Sequence, residues 1–141
     1  MKRITIVKLR KPQESNVNKE LQWFSESLGL FSERDKEKSC FRIFVELVKA
    51  TRVNRALSSD EIAQRSHLTR GTVIHHLHKL EETGIIIHEE KKYLLRVNTL
   101  EELITEMQKD AERVFEELYH MATLLDEELG LQKRKQRQII E

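Results

Sequence analysis

Apolar residues recur at helical spacing over most of this chain, and three short strand-like runs interrupt that spacing. The first run, residues 4–9 (Ile-Thr-Ile-Val-Lys-Leu), partly alternates and stops before Pro12, which predicts a short strand. Asn16 or Asn18 is placed to cap a helix in which Leu21, Phe24 and Leu28 fall at i, i+3 and i+7, with Trp23 beside them and Gly29 as the stop. Residues 1–31 therefore read as a strand-helix arm. A dimer-swapped arm, an effector pocket and a partner dock are all compatible with that segment.

From residue 32 the pattern changes to a compact unit. Ser32 precedes Asp35 by three, and the helix that follows sets Phe41, Phe44, Val45 and Val48 on one face with Cys40 and Leu47 beside it. Ser58-Ser59-Asp60-Glu61 is a capping box: the Ser58 hydroxyl accepts from the third helical amide and Glu61 reaches back. A short helix with Ile62 and Ala63 inward begins there and ends near Ser66-His67-Leu68. Thr69 caps a third helix, in which Val73, Leu77 and Leu80 recur at i, i+4 and i+7 until Gly84. Ile85-Ile86-Ile87-His88 and Tyr93-Leu94-Leu95-Arg96-Val97 are strand-like, separated by the charged turn Glu89-Glu90-Lys91-Lys92. Two helices joined by a turn of about three to four residues and followed by a hairpin make a helix-turn-helix with a two-stranded wing. That unit spans residues 32–98.

Thr99-Leu100-Glu101-Glu102 is a second capping box, and no Gly or Pro interrupts the chain before Gly130. The pattern predicts a helix of about 30 residues, roughly 45 Å long. Along it Leu100, Ile104, Met107, Ala111, Val114, Leu118, Met121 and Leu125 step alternately by four and three, as a coiled-coil seam does, and Leu103, Phe115, Ala122 and Leu129 widen the stripe. Part of this stripe packs on the winged unit, but a helix of that length outreaches one small domain, so its far half calls for a second chain. Residues 99–130 are read as a coiled-coil-like dimerisation helix and 131–141 as a basic tail. The expected class is mainly α with a small β-wing.

Composition agrees with that picture. Of 141 residues, 38% are apolar and 35% charged, so the core is modest or is completed by a partner, and an oligomer is expected. Four Gly and one Pro leave little room for long irregular loops. The net charge of +1 hides a partition: residues 1–34 and 35–99 each carry +3, whereas 100–141 carry −5. A basic middle suits a polyanion, and the acidic helix is expected to lie away from it. With no apolar run of about 18 residues and a start too polar for a signal segment, the chain is expected in the cytoplasm without membrane contact. Cys40, the single cysteine, excludes an internal disulfide and any Cys-x-x-Cys site.

With Val73, Leu77 and Leu80 facing the core, the opposite side of the third helix presents Gly71, Thr72, His75, His78, Lys79 and Glu82. One helix fits a B-DNA major groove, where Thr72, His75 and Lys79 offer a hydroxyl, an imidazole and an ammonium to base edges or phosphates. Thr69 and Arg70 at the helix start are placed for phosphate, and Gly71 lets the backbone approach closely. His76, toward the core side, reads as a packed, hydrogen-bonded histidine, and His67 as a structural or solvated turn residue.

Leu57-Ser58-Ser59-Asp60-Glu61-Ile62-Ala63 and the stretch from Thr69-Arg70-Gly71-Thr72-Val73 through His76-Leu77 and Leu80 to Gly84-Ile85-Ile86 resemble the arsenic-repressor (ArsR) type of winged-helix regulator, especially its archaeal branch. The resemblance covers roughly 65 of 141 residues. It implies a DNA-binding winged helix, and wing-tip Lys91 and Lys92 resemble the minor-groove or backbone contacts of other winged helices, with Glu89 and Glu90 working against them. Many such regulators sense metals, but the ligands are largely missing here. Cys40 has no partner, His120 has only Glu116 or Glu117 at helical spacing, and His75 and His78 occupy the DNA face. No metal or other cofactor is expected, and an apolar setting argues against a redox role for Cys40. No phosphate-cradling Gly loop, nucleophile elbow or His-Glu-x-x-His motif points to an enzyme.

These features lead to a sequence-specific regulator of transcription that binds a palindromic operator in double-stranded DNA as a homodimer, with repression as the expected sign. The competing class is a winged-helix protein-interaction module that does not bind DNA specifically. RNA binding has only Tyr93 of the wing to offer as a stacking platform. The operator sequence and any small-molecule effector are not legible in the chain.

Overall fold

A computed structural model describes residues 2–134. Its elements run α1 (Val17–Ser27), α2 (Ser39–Arg52), β1 (Leu57–Ser58), α3 (Ser59–Ser66), α4 (Arg70–Glu82), β2 (Ile86–Glu89), β3 (Lys92–Leu95) and α5 (Leu100–Leu129). The three strands form an antiparallel sheet in the order β1-β3-β2. This is a mainly helical winged helix. The chain divides into two compact units, one ending at Met107 and the other beginning at Gln108, so the division falls inside α5.

The core of the first unit gathers one stripe from each of several elements. Ile43, Phe44 and Leu47 of α2, Leu57 of β1, Ile62 of α3, Val73, Leu77 and Leu80 of α4, and Ile85 are all buried. At about 25 cal/mol per Å² of apolar surface removed from water, each fully buried Leu or Ile contributes about 1.5–3 kcal/mol. The buried stripe of α2 is Cys40, Ile43, Phe44, Leu47 and Ala50, rotated from the expected one: Phe41, Val45 and Val48 are only half-buried. Phe41 instead packs on Phe31, with ring centroids 5.1 Å apart. The helix also starts later than expected, at Ser39. Lys38 takes a left-handed backbone and the Asp35 carboxylate accepts from the Ser39 and Cys40 amides at 3.0 and 3.1 Å, capping from outside the helix.

The expected strand at residues 4–9 does not form. The amides of Lys2 and Arg3 donate to the Glu82 carbonyl at the end of α4, Val7 N donates to Ser27 O, and Trp23 Nε1 donates to Leu9 O. Helix-end carbonyls and an indole take the bonds that a sheet edge would have taken, so the segment has no ladder. Asn16 caps α1 as expected, accepting from the Asn18 and Lys19 amides. Gly29 follows at φ +75, and an added Cβ would lie 2.6 Å from Thr5 Cγ2, so both backbone conformation and the close approach of residue 5 require glycine there. Leu28 and Leu30 enter the common core, which joins the arm to the winged domain.

Strand β1 was not foreseen. It is two residues long and pairs Leu57 with Tyr93 and Ser58 with Lys92. The wing turn is tighter than the four residues expected, because Glu89 pairs with Lys92 and only Glu90 and Lys91 remain to close it.

Helix α5 runs 30 residues without a break. Leu103 and Met107 are buried in the core of the first unit, and Leu100 packs against it. Met107, with Leu100 half-buried beside it, belongs to the part of the stripe that packs on the winged unit. Ile104 is 39% exposed, Val114 42%, Leu118 58%, Met121 55% and Leu125 43%, while Ala111 is half-buried. Of the expected tail, residues 131–134 are exposed and 135–141 lie outside the described residues.

Candidate nucleic-acid interface

The site is built from α3, the turn at residues 67–69, α4 and the wing. Ser58 and Glu61 form the complete capping box: Glu61 N donates to Ser58 Oγ at 3.1 Å and Ser58 N donates to Glu61 Oε1 at 3.2 Å. The hydrogen bond from the Ser58 amide, helped by Arg55, holds the Glu61 carboxyl below its ordinary pKa. At the other end His67 takes a left-handed backbone at φ 56, and Leu68 N returns to Ala63 O. His67 is exposed and sets the sharp turn. Thr69 then caps α4, accepting from Thr72 N at 3.2 Å. Three intervening residues thus re-aim the chain from α3 into α4. The Arg42 guanidinium donates to the Ser66 carbonyl, tying the end of α3 to α2.

Helix α4 buries Val73, His76, Leu77 and Leu80. Its opposite face is open: Thr69, Arg70, Gly71, His75, His78 and Lys79 are exposed and Thr72 is half-exposed. Nothing lies within 4 Å of an added Cβ at Gly71, which leaves that turn of backbone clear to an approaching surface. Arg70 Nε lies 3.5 Å from Asp60 Oδ1, both side chains well exposed, so this ion pair is weak and exchangeable for phosphate. Lys91 and Lys92 project at the wing tip, with Glu89 and Glu90 exposed beside them. The wing leans on α4 where His88 Nδ1 meets Glu81 Oε1 at 3.1 Å. Arg70 and Lys79 on α4 and Lys91 on the wing thus all belong to the first unit.

His76 is buried as expected, but its environment differs from the hydrogen-bonded one foreseen. Nε2 lies 3.9 Å from Asp35 Oδ2, and Nδ1 has no hydrogen-bond partner. Burial holds the His76 pKa below the ordinary histidine value, partly offset by the Asp35 charge, so the ring is kept neutral. Burial opposes ionisation of Asp35, but the Ser39 and Cys40 amide bonds outweigh it and its pKa is lowered. Burial pushes the Cys40 thiol up to about 12, which makes it a packing group rather than a nucleophile.

Sequence reasoning placed residues 32–38 in the start of a helix and missed their position beside α4. An open cleft of about 600 Å³ separates the two, lined by Arg34, Lys36, Thr72, His75 and Lys79 among others. The alternation of acids and bases in that segment was the only signal, and it looks the same as a solvated helix turn. No group of three or more His, Cys, Asp or Glu side chains able to hold a metal occurs among the described residues. Among them, no helix is long and apolar enough to cross a membrane.

Residues 46–87, from the second half of α2 into β2, match the model of a family described as winged helix-turn-helix DNA-binding. Neither a curated protein nor a solved structure matches the chain. The matched residues contain α3, the turn and α4 in full, so the likeness falls on the elements that carry the exposed polar face. Within this winged-helix fold, residues 46–87 are thus similar to a DNA-binding winged helix-turn-helix family.

Proposed function

We propose that the protein is a sequence-specific regulator of transcription that binds double-stranded DNA as a homodimer, placing α4 of each copy in the major groove of a palindromic operator. One observation carries this reading. Helix α4 is rigidly held by a cap and a buried stripe, while Arg70, Gly71, His75, His78 and Lys79 on its other side are exposed, within the stretch that matches the DNA-binding family. Thr72 and His75 suit base edges, Lys79 suits base edges or phosphates, and Thr69, Arg70, Lys91 and Lys92 suit phosphates that set the register.

The exposed stripe on the second unit supports the dimer. Val114, Leu118, Met121 and Leu125 repeat at coiled-coil spacing, widened by Phe115, and are exposed with nothing among the described residues to cover them. Two copies joined there present two recognition helices related by a two-fold axis, which read half-sites roughly 34 Å apart. Occupying a promoter in this way blocks transcription, so repression is the proposed sign. The same stripe favours a second reading, an interaction module in which α5 binds a different protein and the winged domain is a scaffold. The two part at the exposed cations of α4. Binding of a fluorescent 30-base-pair duplex to Arg70→Gln/Lys79→Gln should be weaker than wild type, with the salt slope reduced by about one per lost phosphate contact. An unchanged slope would overturn the placement of α4 on DNA.

A further inference from the structure

The polar face of α4 has a neighbour on each side. At 100° per residue, Gly71, His75, His78 and Glu82 lie opposite the core stripe, with Glu81 toward one flank and Thr72, His76 and Lys79 toward the other. The wing stands on the first flank, at the contact between His88 and Glu81. Residues 32–38 stand on the second, where Asp35 approaches His76. The cleft between that segment and α4 shares Thr72, His75 and Lys79 with the proposed reading face. A duplex laid against those three side chains must run alongside the segment.

We infer that this cleft is a second seat for the phosphodiester backbone of duplex DNA, with Arg34 and Lys36 as its cations. The inference rests on the DNA-binding reading of α4 and extends that surface to the side away from the wing. Three observations support it. First, the segment reads Glu33-Arg34-Asp35-Lys36-Glu37-Lys38, and its exposed cations Arg34 and Lys36 line the cleft opposite Lys79 of α4, together with Asp35 and Glu37. Second, the acid nearest α4 keeps its charge, but its two carboxylate oxygens are turned to the amides of Ser39 and Cys40 at the start of α2. Asp35 and Glu37 both line the cleft, two acids against the three cations Arg34, Lys36 and Lys79. Third, the neighbouring cation is held back, with Lys38 Nζ 5.7 Å over the centre of the Phe31 ring. Arg34 and Lys36 are exposed, and neither is ion-paired among the described residues. A groove-reading helix is thereby flanked by cations on both sides, Arg34 and Lys36 opposite Lys91 and Lys92.

The test compares the full-length wild type, Arg34→Gln/Lys36→Gln, Lys49→Gln/Arg52→Gln and Arg70→Gln/Lys79→Gln on one fluorescent 30-base-pair duplex of random sequence, titrated across salt. Lys49 and Arg52 lie at the far end of α2 and carry the same charge change without lining the cleft. Arg34→Gln/Lys36→Gln should lose on the order of ten-fold in affinity, with the salt slope falling by about two, as expected for two lost phosphate contacts. Lys49→Gln/Arg52→Gln should retain the wild-type slope. Circular dichroism checks that the fold is intact, which exposure of both side chains leads us to expect. Wild-type slope in Arg34→Gln/Lys36→Gln, together with a reduced slope in Arg70→Gln/Lys79→Gln, would overturn this inference and leave the reading of α4 standing. An equal loss in both double variants of α2 and its approach segment would reduce the cleft to a general charge effect and overturn it too. Absence of salt-dependent binding by the wild type would overturn the reading on which the inference rests.

Discussion

Helix α4 and the distal half of α5 carry the same kind of amphipathic stripe and meet opposite fates. In α4, Val73, Leu77 and Leu80 are at most 1% exposed, and the chain itself completes their packing. In α5, Val114 is 42% exposed, Leu118 58% and Met121 55%, although they step by four and three just as those of α4 do. Periodicity alone therefore shows that a face is to be buried, not what buries it. The first stripe fixes a polar face toward solvent, the second leaves an apolar one, and the proposed function uses both: α4 toward DNA, α5 toward another copy.

The sharpest way to break the comparison is to change one residue in each stripe. Leu77→Ala removes a side chain that is fully enclosed and should destabilise the fold by about 2–5 kcal/mol, read from denaturant unfolding. A loss below about 1 kcal/mol would show that the α4 stripe is not the closed core described here. Leu118→Glu should leave the unfolding of the winged domain nearly unchanged and raise the dimer dissociation constant by roughly 30-fold, the equivalent of about 2 kcal/mol at a central interface residue. Analytical ultracentrifugation reads this directly. The stripe is flanked by Glu117, Asp126 and Glu128, so dimerisation should strengthen as salt rises, while DNA binding weakens. A dimer that salt weakens would contradict the packing of two acidic helices on one another.

A smaller effect concerns the polar end of the α4 core. The His76 pKa is lowered, so protons bind the unfolded chain more tightly than the folded one, and stability falls as pH drops below the ordinary histidine value of about 6.5. Asp35 is also lowered, and its contribution, present above the ordinary carboxyl range, is lost as pH falls through its folded pKa. Denaturant unfolding should therefore show declining stability from pH 7 to 5, a decline that His76→Gln removes, and a further loss below about pH 4 that Asp35→Asn reduces, the share of Glu61 remaining. A decline between pH 7 and 5 that persists in His76→Gln would assign it to another group.

What was legible in the chain is what local chemistry decides. Ser58 with Glu61 and Thr69 with Thr72 announce their helices through hydrogen bonds that span only three residues. Val73, Leu77 and Leu80 allow one solution because polar residues surround them. Helix α2 was harder, since Phe41, Ile43, Phe44, Val45, Leu47 and Val48 are nearly continuous and only the partners select the Ile43-Phe44-Leu47 face. The arm misled because residues 4–9 have strand character but meet helix ends rather than a sheet edge. Of the candidate site, the α4 face was readable from angle alone. The neighbouring cleft was not, because it depends on Lys38 turning left-handed and Asp35 reaching past it to cap α2. That α5 divides into a near part packed on the winged unit and a far part free of it followed from its length, but the boundary at Met107 did not, because it is a long-range packing outcome in a locally uniform helix.

The most direct measurement is selection of duplexes from a random DNA pool by the full-length protein, with the winning site then titrated against salt. The account predicts an enriched palindrome with half-sites about one helical turn apart, steep salt dependence, and loss of that enrichment in Leu118→Glu. Recovery of no enriched sequence, with weak salt dependence, would contradict it and leave the winged domain as a scaffold for protein contacts.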